Sequence, residues 1–283
     1  MAAVDYEAEY NNRARVPEHP AIFARWQKDA AAYREATAAT ECAALGLSYG
    51  PSARQTIDLF FPDLDGTTPL ALFIHGGYWR SLEPALFSHM ARGLNARGVT
   101  VGVAGYDLCP TCSVADIITQ IQRAVLFLSN RFKKRITIYG HSAGGHLAAC
   151  MLTTDWKALD AKAMDRPVTA AYSVSGVFDL TPLVHVSMNQ DLRLDEAQAR
   201  AVSPVFWPIS PGKVFDAVVG GDESTEFLRQ SKTIAEAWQG RAEVRYEEIP
   251  GANHFAVIDP LSDPDSKMVE RLAQLCERTE SRR

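Results

Sequence analysis

Between a β-branched run and a stretch of small residues stand five residues, Gly140-His141-Ser142-Ala143-Gly144, that leave the chain few ways to fold around them. Arg135-Ile136-Thr137-Ile138-Tyr139 before them reads as a short buried strand, and Gly145 to Leu152 after them reads as a helix. A serine on so tight a strand-to-helix turn needs neighbours without side chains. Only then can its hydroxyl stand clear of the sheet with its own amide facing the same space.

The rest of the chain supplies the sheet that such a turn requires. Residues from about Pro20 to Thr40 place Ile22, Phe23, Trp26, Ala30 and Tyr33 at helical spacing, an amphipathic helix. Gln55 to Phe61 alternates like a half-exposed strand that Pro62 stops, Leu70 to Ile74 is fully apolar, and Val99 to Ala104 follows a helix over His89 to Arg97 with Gly98 as its cap. Val114 to Arg131 is helical. Beyond the turn, Val168 to Val174, Val214 to Val219 and Ala242 to Ile249 read as strands, and Asp265 to Glu277 as a last helix. Strands alternating with helices imply a mostly parallel sheet covered on both faces, the α/β-hydrolase architecture once G-x-S-x-G is added. The 283 residues are read as one such domain, 1–283. Residues 1–48 form a helical extension, and the Pro-interrupted stretch Thr181 to Pro211 an insertion covering the site.

A serine hydroxyl needs a base, and the base a carboxylate to orient it, in the chain order Ser, Asp/Glu, His. That order selects sharply. His254 alone lies downstream of His185, and it follows the final strand in Pro250-Gly251-Ala252-Asn253-His254-Phe255. The carboxylate is expected in the loop after the preceding strand, Gly220-Gly221-Asp222-Glu223-Ser224, with Asp222 first choice, Glu223 second and Asp259 a distant third. Strand Leu70 to Ile74 runs into His75-Gly76-Gly77-Tyr78-Trp79, so Gly76 and Gly77, with Ala143 behind the serine, are the expected oxyanion donors. His75 precedes the nucleophile and is read as a support for that loop. Tyr78, Trp79, Phe178 and Phe255 are candidates for an aromatic pocket wall.

Other chemistries find little support. His141 and His146 are five apart around the turn, Cys109-Pro110-Thr111-Cys112 has no second CxxC, and no phosphate-binding glycine motif follows a strand, so neither metal nor cofactor is expected. A net charge of −5 gives nucleic acid or an anionic membrane no purchase. The longest uncharged run, Ile136 to Thr154, is the strand-turn-helix unit itself, and the acidic start Met1 to Glu7 lacks the pattern of a secretory signal. Five scattered cysteines suit a reduced, cytoplasmic setting. A small molecule is the expected partner, and a homodimer is compatible with the sequence without being derivable from it.

His75-Gly76-Gly77-Tyr78-Trp79, Gly140 to Leu147, Gly220 to Ser224 with Glu226-Phe227, and Asn253-His254-Phe255 together resemble the kynurenine formamidase (arylformamidase) branch of the α/β-hydrolases. The resemblance implies hydrolysis of N-formylkynurenine to kynurenine and formate through a formyl-serine. Tyr106-Asp107-Leu108-Cys109-Pro110 departs from the Tyr-Arg-Leu-Ala-Pro type of the lipase-like cousins, and the H-x-G-T-H-x-D signature of metal-dependent formamidases is absent. A carboxylesterase or other small-amide hydrolase would use the same residues, and a binding protein on a hydrolase scaffold is the reading from outside enzymology.

Overall fold

Alternation within single strands builds the two faces of the sheet. In the computed structural model, which describes residues 4–62 and 68–281, Leu70, Leu72 and Ile74 enter one apolar core while Ala71 and Phe73 enter the other. The first three residues of the acidic start lie outside the described part. Among the described residues, eight strands form one sheet in the order β1-β2-β4-β3-β5-β6-β7-β8. They are β1 Ala43–Ser48, β2 Thr56–Phe60, β3 Leu70–Ile74, β4 Thr100–Ala104, β5 Ile136–His141, β6 Val168–Val174, β7 Val214–Gly220 and β8 Glu243–Ile249. From β4 to β8 every pairing is parallel, and β2 and β1 add antiparallel to the β4 edge. The fold is that of an α/β-hydrolase.

Helices Val114–Phe132, Ala143–Thr153 and Thr225–Trp238 share the core that holds Leu72 and Ile138. Helix His19–Ala39, the segment Pro84–Ala96 and helix Lys267–Ser281 share the core that holds Phe73 and Tyr139. Helix Val114–Phe132 starts at a reciprocal cap, Ser113 and Asp116 each accepting from the other's backbone amide, and buries a face running Val114, Ile117, Ile121, Val125, Leu128. Among the described residues, no helix is long and apolar enough to cross a membrane.

Two elements differ from expectation. The helix expected over His89 to Arg97 begins earlier, as a 3-10 helix Pro84–Ala91 that passes into an α-turn Arg92–Ala96. Strand β1 has no counterpart in the sequence reading. Its half-exposed Ala43-Ala44-Leu45-Gly46-Leu47-Ser48 lacks β-branched residues, and its register slips between Ala44 and Leu47. Asp58 Oδ1 accepts the Gly46 amide there at 2.7 Å.

The chain ahead of the sheet is more elaborate than one helix. Two short helices, Tyr6–Tyr10 and Asn12–Arg15, precede helix His19–Ala39 and lie across the end of the sheet that carries Ser142. Residues 181–211 fold as four short helical pieces whose Leu183, Leu192 and Ala199 pack down onto the main core. Only Ser187 and Met188 of that stretch reach the cavity above the serine.

Candidate active site

The turn after β5 is held by close backbone approaches. A methyl group on Gly140 would sit 2.3 Å from Gly144 O, and one on Gly144 would sit 1.9 Å from Ile74 O. With both glycines in place, Ser142 takes φ +55°, ψ −119°, a conformation that costs energy and persists where the surroundings enforce it. Its amide donates to Val174 O at 2.8 Å, fixing it to the end of β6. Ala143 opens helix Ala143–Thr153, so its N–H belongs to the first turn, which has no intrahelical acceptor.

The loop after β3 lies against this turn. A methyl group on Gly76 would be 3.0 Å from Ser142 Cβ and 2.9 Å from His141 O, so its backbone passes directly beside the serine. Gly77 (φ +110°), Tyr78 (φ +48°) and Trp79 (φ +56°) follow in the left-handed region, closed by Arg80 and Ser81 amides on Gly77 O. His75 supports the loop as its position suggested. Its Nδ1 meets Gly76 O at 2.7 Å, its ring stacks on Tyr106 at 4.3 Å, and Tyr106 Oη donates to His75 O at 2.8 Å. Burial pushes the His75 imidazole down to about 4, so it stays neutral. Tyr106 thus keeps its place under the loop, and Asp107 beside it accepts from Ser52, Gln55 and Gln120.

The carboxylate on His254 is Glu223, a correction to the first choice of Asp222. Glu223 Oε2 lies 2.6 Å from His254 Nδ1, and both side chains are almost wholly buried. Its Oε1 accepts the Gly220 amide at 2.8 Å and the Ser175 hydroxyl. β7 ends in a tight turn, with the Glu223 amide on Gly220 O, that folds Glu223 back beneath its own strand. Asp222, one residue earlier, is turned out to solvent. Ser224 caps helix Thr225–Trp238. Asp259 makes no contact with His254 and instead anchors the N-terminal helix through Arg25 at 2.5 Å and Trp26 Nε1 at 3.1 Å.

His254 packs between Phe227, with ring centroids 4.5 Å apart, and His141 at 4.8 Å. His141 donates from Nε2 to His254 O at 2.8 Å, and burial together with the neighbouring His254 keeps it neutral. His146 spends its Nε2 on Val202 O at 2.7 Å and is pushed down to about 4 by burial. Ser142 and His254 both line one cavity of about 140 Å³.

The cavity wall departs further from the sequence reading. Tyr78 and Phe255 line it. Trp79 and Phe178 do not: Trp79 is wholly buried edge-on against His146, and Phe178 packs edge-on against Phe215. Tyr10, Phe23, Trp26 and Phe87 supply the aromatic surface instead, three of them from the first 26 residues. The signal for Phe23 and Trp26 lay in their helical spacing, which marks a face without saying what it covers.

A tight set of contacts holds the N-terminal segment down. Tyr10 Oη donates to Glu226 Oε2 and accepts from Gln230, both at 2.8 Å, while Tyr78 Oη donates to Tyr10 O at 2.7 Å. Burial keeps the Tyr10 phenol protonated far above the usual range. Burial opposes the charge on Glu226, but hydrogen bonds from Arg229 and Tyr10 outweigh it and hold the carboxyl below its ordinary value. Glu7 accepts the Ser187 amide and hydroxyl, each at 2.7 Å, tying the N-terminal segment to the 181–211 stretch.

Comparison with known proteins agrees with this geometry. The family model described as BD-FAE matches residues 57–205, just over half of the chain. A kynurenine formamidase of Salmo salar is 30% identical over 82% of this chain and 81% of its own length, and the esterase LipQ of Mycobacterium tuberculosis is 28% identical over 79% and 59%. A crystal structure from Silicibacter sp. TM1040, provisionally described as a thioesterase, superposes with a TM-score of 0.83 at 33% identity, covering 95% of this chain and 98% of that one. With a strained serine turn, a buried His-carboxylate pair and these relatives in hand, the chain belongs to the BD-FAE family of α/β-hydrolases and is a hydrolase of the serine type.

Proposed function

We propose that this hydrolase cleaves an aryl formamide, N-formylkynurenine to kynurenine and formate, with Ser142 as nucleophile, His254 as base and Glu223 as the carboxylate that orients it. The observation that carries the reading is the cavity over Ser142: a small space walled by Tyr10, Phe23, Trp26, Tyr78, Phe87 and Phe255, with charged Glu7, Arg13 and Arg80 also on its lining. A single aromatic ring with a polar amino-acid side arm suits such a wall better than a long acyl chain does. Kynurenine formamidases spanning four-fifths of the chain support the same substrate.

The reaction then runs through this chain's own groups. His254 Nε2 takes the Ser142 proton as Oγ attacks the formyl carbon, and Glu223 on Nδ1 stabilises the imidazolium that results. The amides of Gly76, Gly77 and Ala143 face the oxyanion, a role in which one donor is typically worth about 10²–10³ in turnover. Collapse breaks the C–N bond, and His254 returns the proton to the departing aniline nitrogen. Water, deprotonated by His254, then clears the formyl group from Ser142 as formate and restores the hydroxyl.

Purified protein is expected to turn over N-formyl-L-kynurenine with kcat/KM of about 10⁴ M⁻¹s⁻¹ or more, lost in Ser142→Ala. Negligible turnover beside rapid p-nitrophenyl acetate cleavage would make it a carboxylesterase instead, the reading that the LipQ relative favours. No labelling of Ser142 by a fluorophosphonate would contradict both and leave a binding protein.

A further inference from the structure

We infer that Arg13 is a carboxylate-binding residue at the rim of the cavity, and that the N-terminal segment thereby selects aryl amides or esters carrying an anionic side arm. The inference deepens the reading above and rests on it for the substrate's identity, though not for the anion.

Of the charged side chains lining the cavity outside the His254 cluster, Glu7 is spent on the Ser187 amide and hydroxyl, and Arg80 pairs with Asp191 at 2.5 Å. Arg13 differs. Among the described residues no carboxylate lies within ion-pair distance of it, and its guanidinium rests over the Phe23 ring at 5.8 Å. Phe23 belongs to the aromatic wall, so the cation stands at the edge of that wall, beside the space an aromatic substrate would fill. The backbone just ahead of Arg13 is anchored through Tyr78, whose Oη donates to Tyr10 O and accepts from Asn12 Nδ2 at 3.2 Å. An always-charged, forked donor set held on such a frame suits a carboxylate in a planar two-point contact.

The test compares N-formyl-L-kynurenine with 2-formamidoacetophenone, the same formamide without the amino-acid head. In Arg13→Gln, kcat/KM for the first is expected to fall roughly ten- to a hundred-fold, mainly through KM, with the second unchanged within about twofold. Arg13→Lys is expected to recover part of the loss, and the preference is expected to weaken in high salt because the site is open to solvent. Equal kinetics of wild type and Arg13→Gln on N-formylkynurenine would overturn the inference. So would an equal fall on both substrates, which would make Arg13 a strut of the cover. If the wild type cleaves neither formamide, the substrate reading fails by itself. The same comparison then uses 3-(2-acetoxyphenyl)propionate against its methyl ester, where loss of the preference for the acid in Arg13→Gln supports the anion site and unchanged preference overturns it.

Discussion

Two regions meet at the cavity and are built on different terms. The loops at the ends of β3, β5, β7 and β8 bring Gly76, Ser142, Glu223 and His254 together through backbone constraints: methyl-excluding approaches at the serine turn, left-handed residues, and a carboxylate saturated by Gly220, Ser175 and His254. The N-terminal segment is built from side chains laid over that frame and pinned at Tyr10, Glu7 and Trp26. The first region fixes what bond can be broken. The second fixes what can lie next to it, which is why relatives sharing the frame act on such different compounds.

The sharpest way to test that division is to remove one member of the frame. Ser142→Ala should cost at least about 10⁴ in kcat on every substrate while leaving the far-UV spectrum and thermal midpoint nearly unchanged. Loss confined to one substrate would mean the frame is not the common chemical machine.

Acid stability should be set mainly by buried imidazoles. His75, His89 and His146 are each pushed down to about 4 by burial, against about 6.5 in an unfolded chain. The unfolded state therefore binds more protons between those values. Stability held above pH 6.5 should be lost as pH falls through about 4, on the order of 3 kcal/mol for each group. Urea unfolding midpoints at pH 7.5, 6 and 5 measure this; a flat profile from 7.5 to 5 would mean that these rings are not held neutral.

A smaller effect separates the cover from the frame. Tyr10→Phe removes the bond to Glu226 and the bond from Gln230 at the cavity wall. KM for N-formylkynurenine should rise about two- to tenfold, with fluorophosphonate labelling of Ser142 proceeding at the wild-type rate. Slower labelling would show that the cover also shapes the catalytic groups.

Legibility in the sequence followed the same line. β3 announces itself as a continuous apolar run and β5 and β6 as β-branched, mostly apolar ones, and Ser142 and His254 stand out as candidates by chain order, because sheet topology leaves so few positions for them. Glu223 against Asp222 turns on how one tight turn ends, which neither residue type nor spacing reveals. β1 is hidden by its alanines and its slipped register. Trp79 and Phe178 read as wall candidates because burial in a core and burial around a substrate use the same aromatic residues. Tyr10 and Arg13 sit on helices of five and four residues, too short to carry a period. Their place over the site exists only once the chain has folded.

The frame's identity turns most directly on its carboxylate, through kcat of Glu223→Gln and Asp222→Asn measured side by side on p-nitrophenyl acetate, a substrate that asks little of the cover. Glu223→Gln should lose roughly 10²–10⁴ in kcat, as loss of the orienting charge does in such triads, and Asp222→Asn should stay within about twofold of wild type. A large loss in Asp222→Asn with Glu223→Gln nearly intact would contradict the arrangement of Ser142, His254 and Glu223 described above.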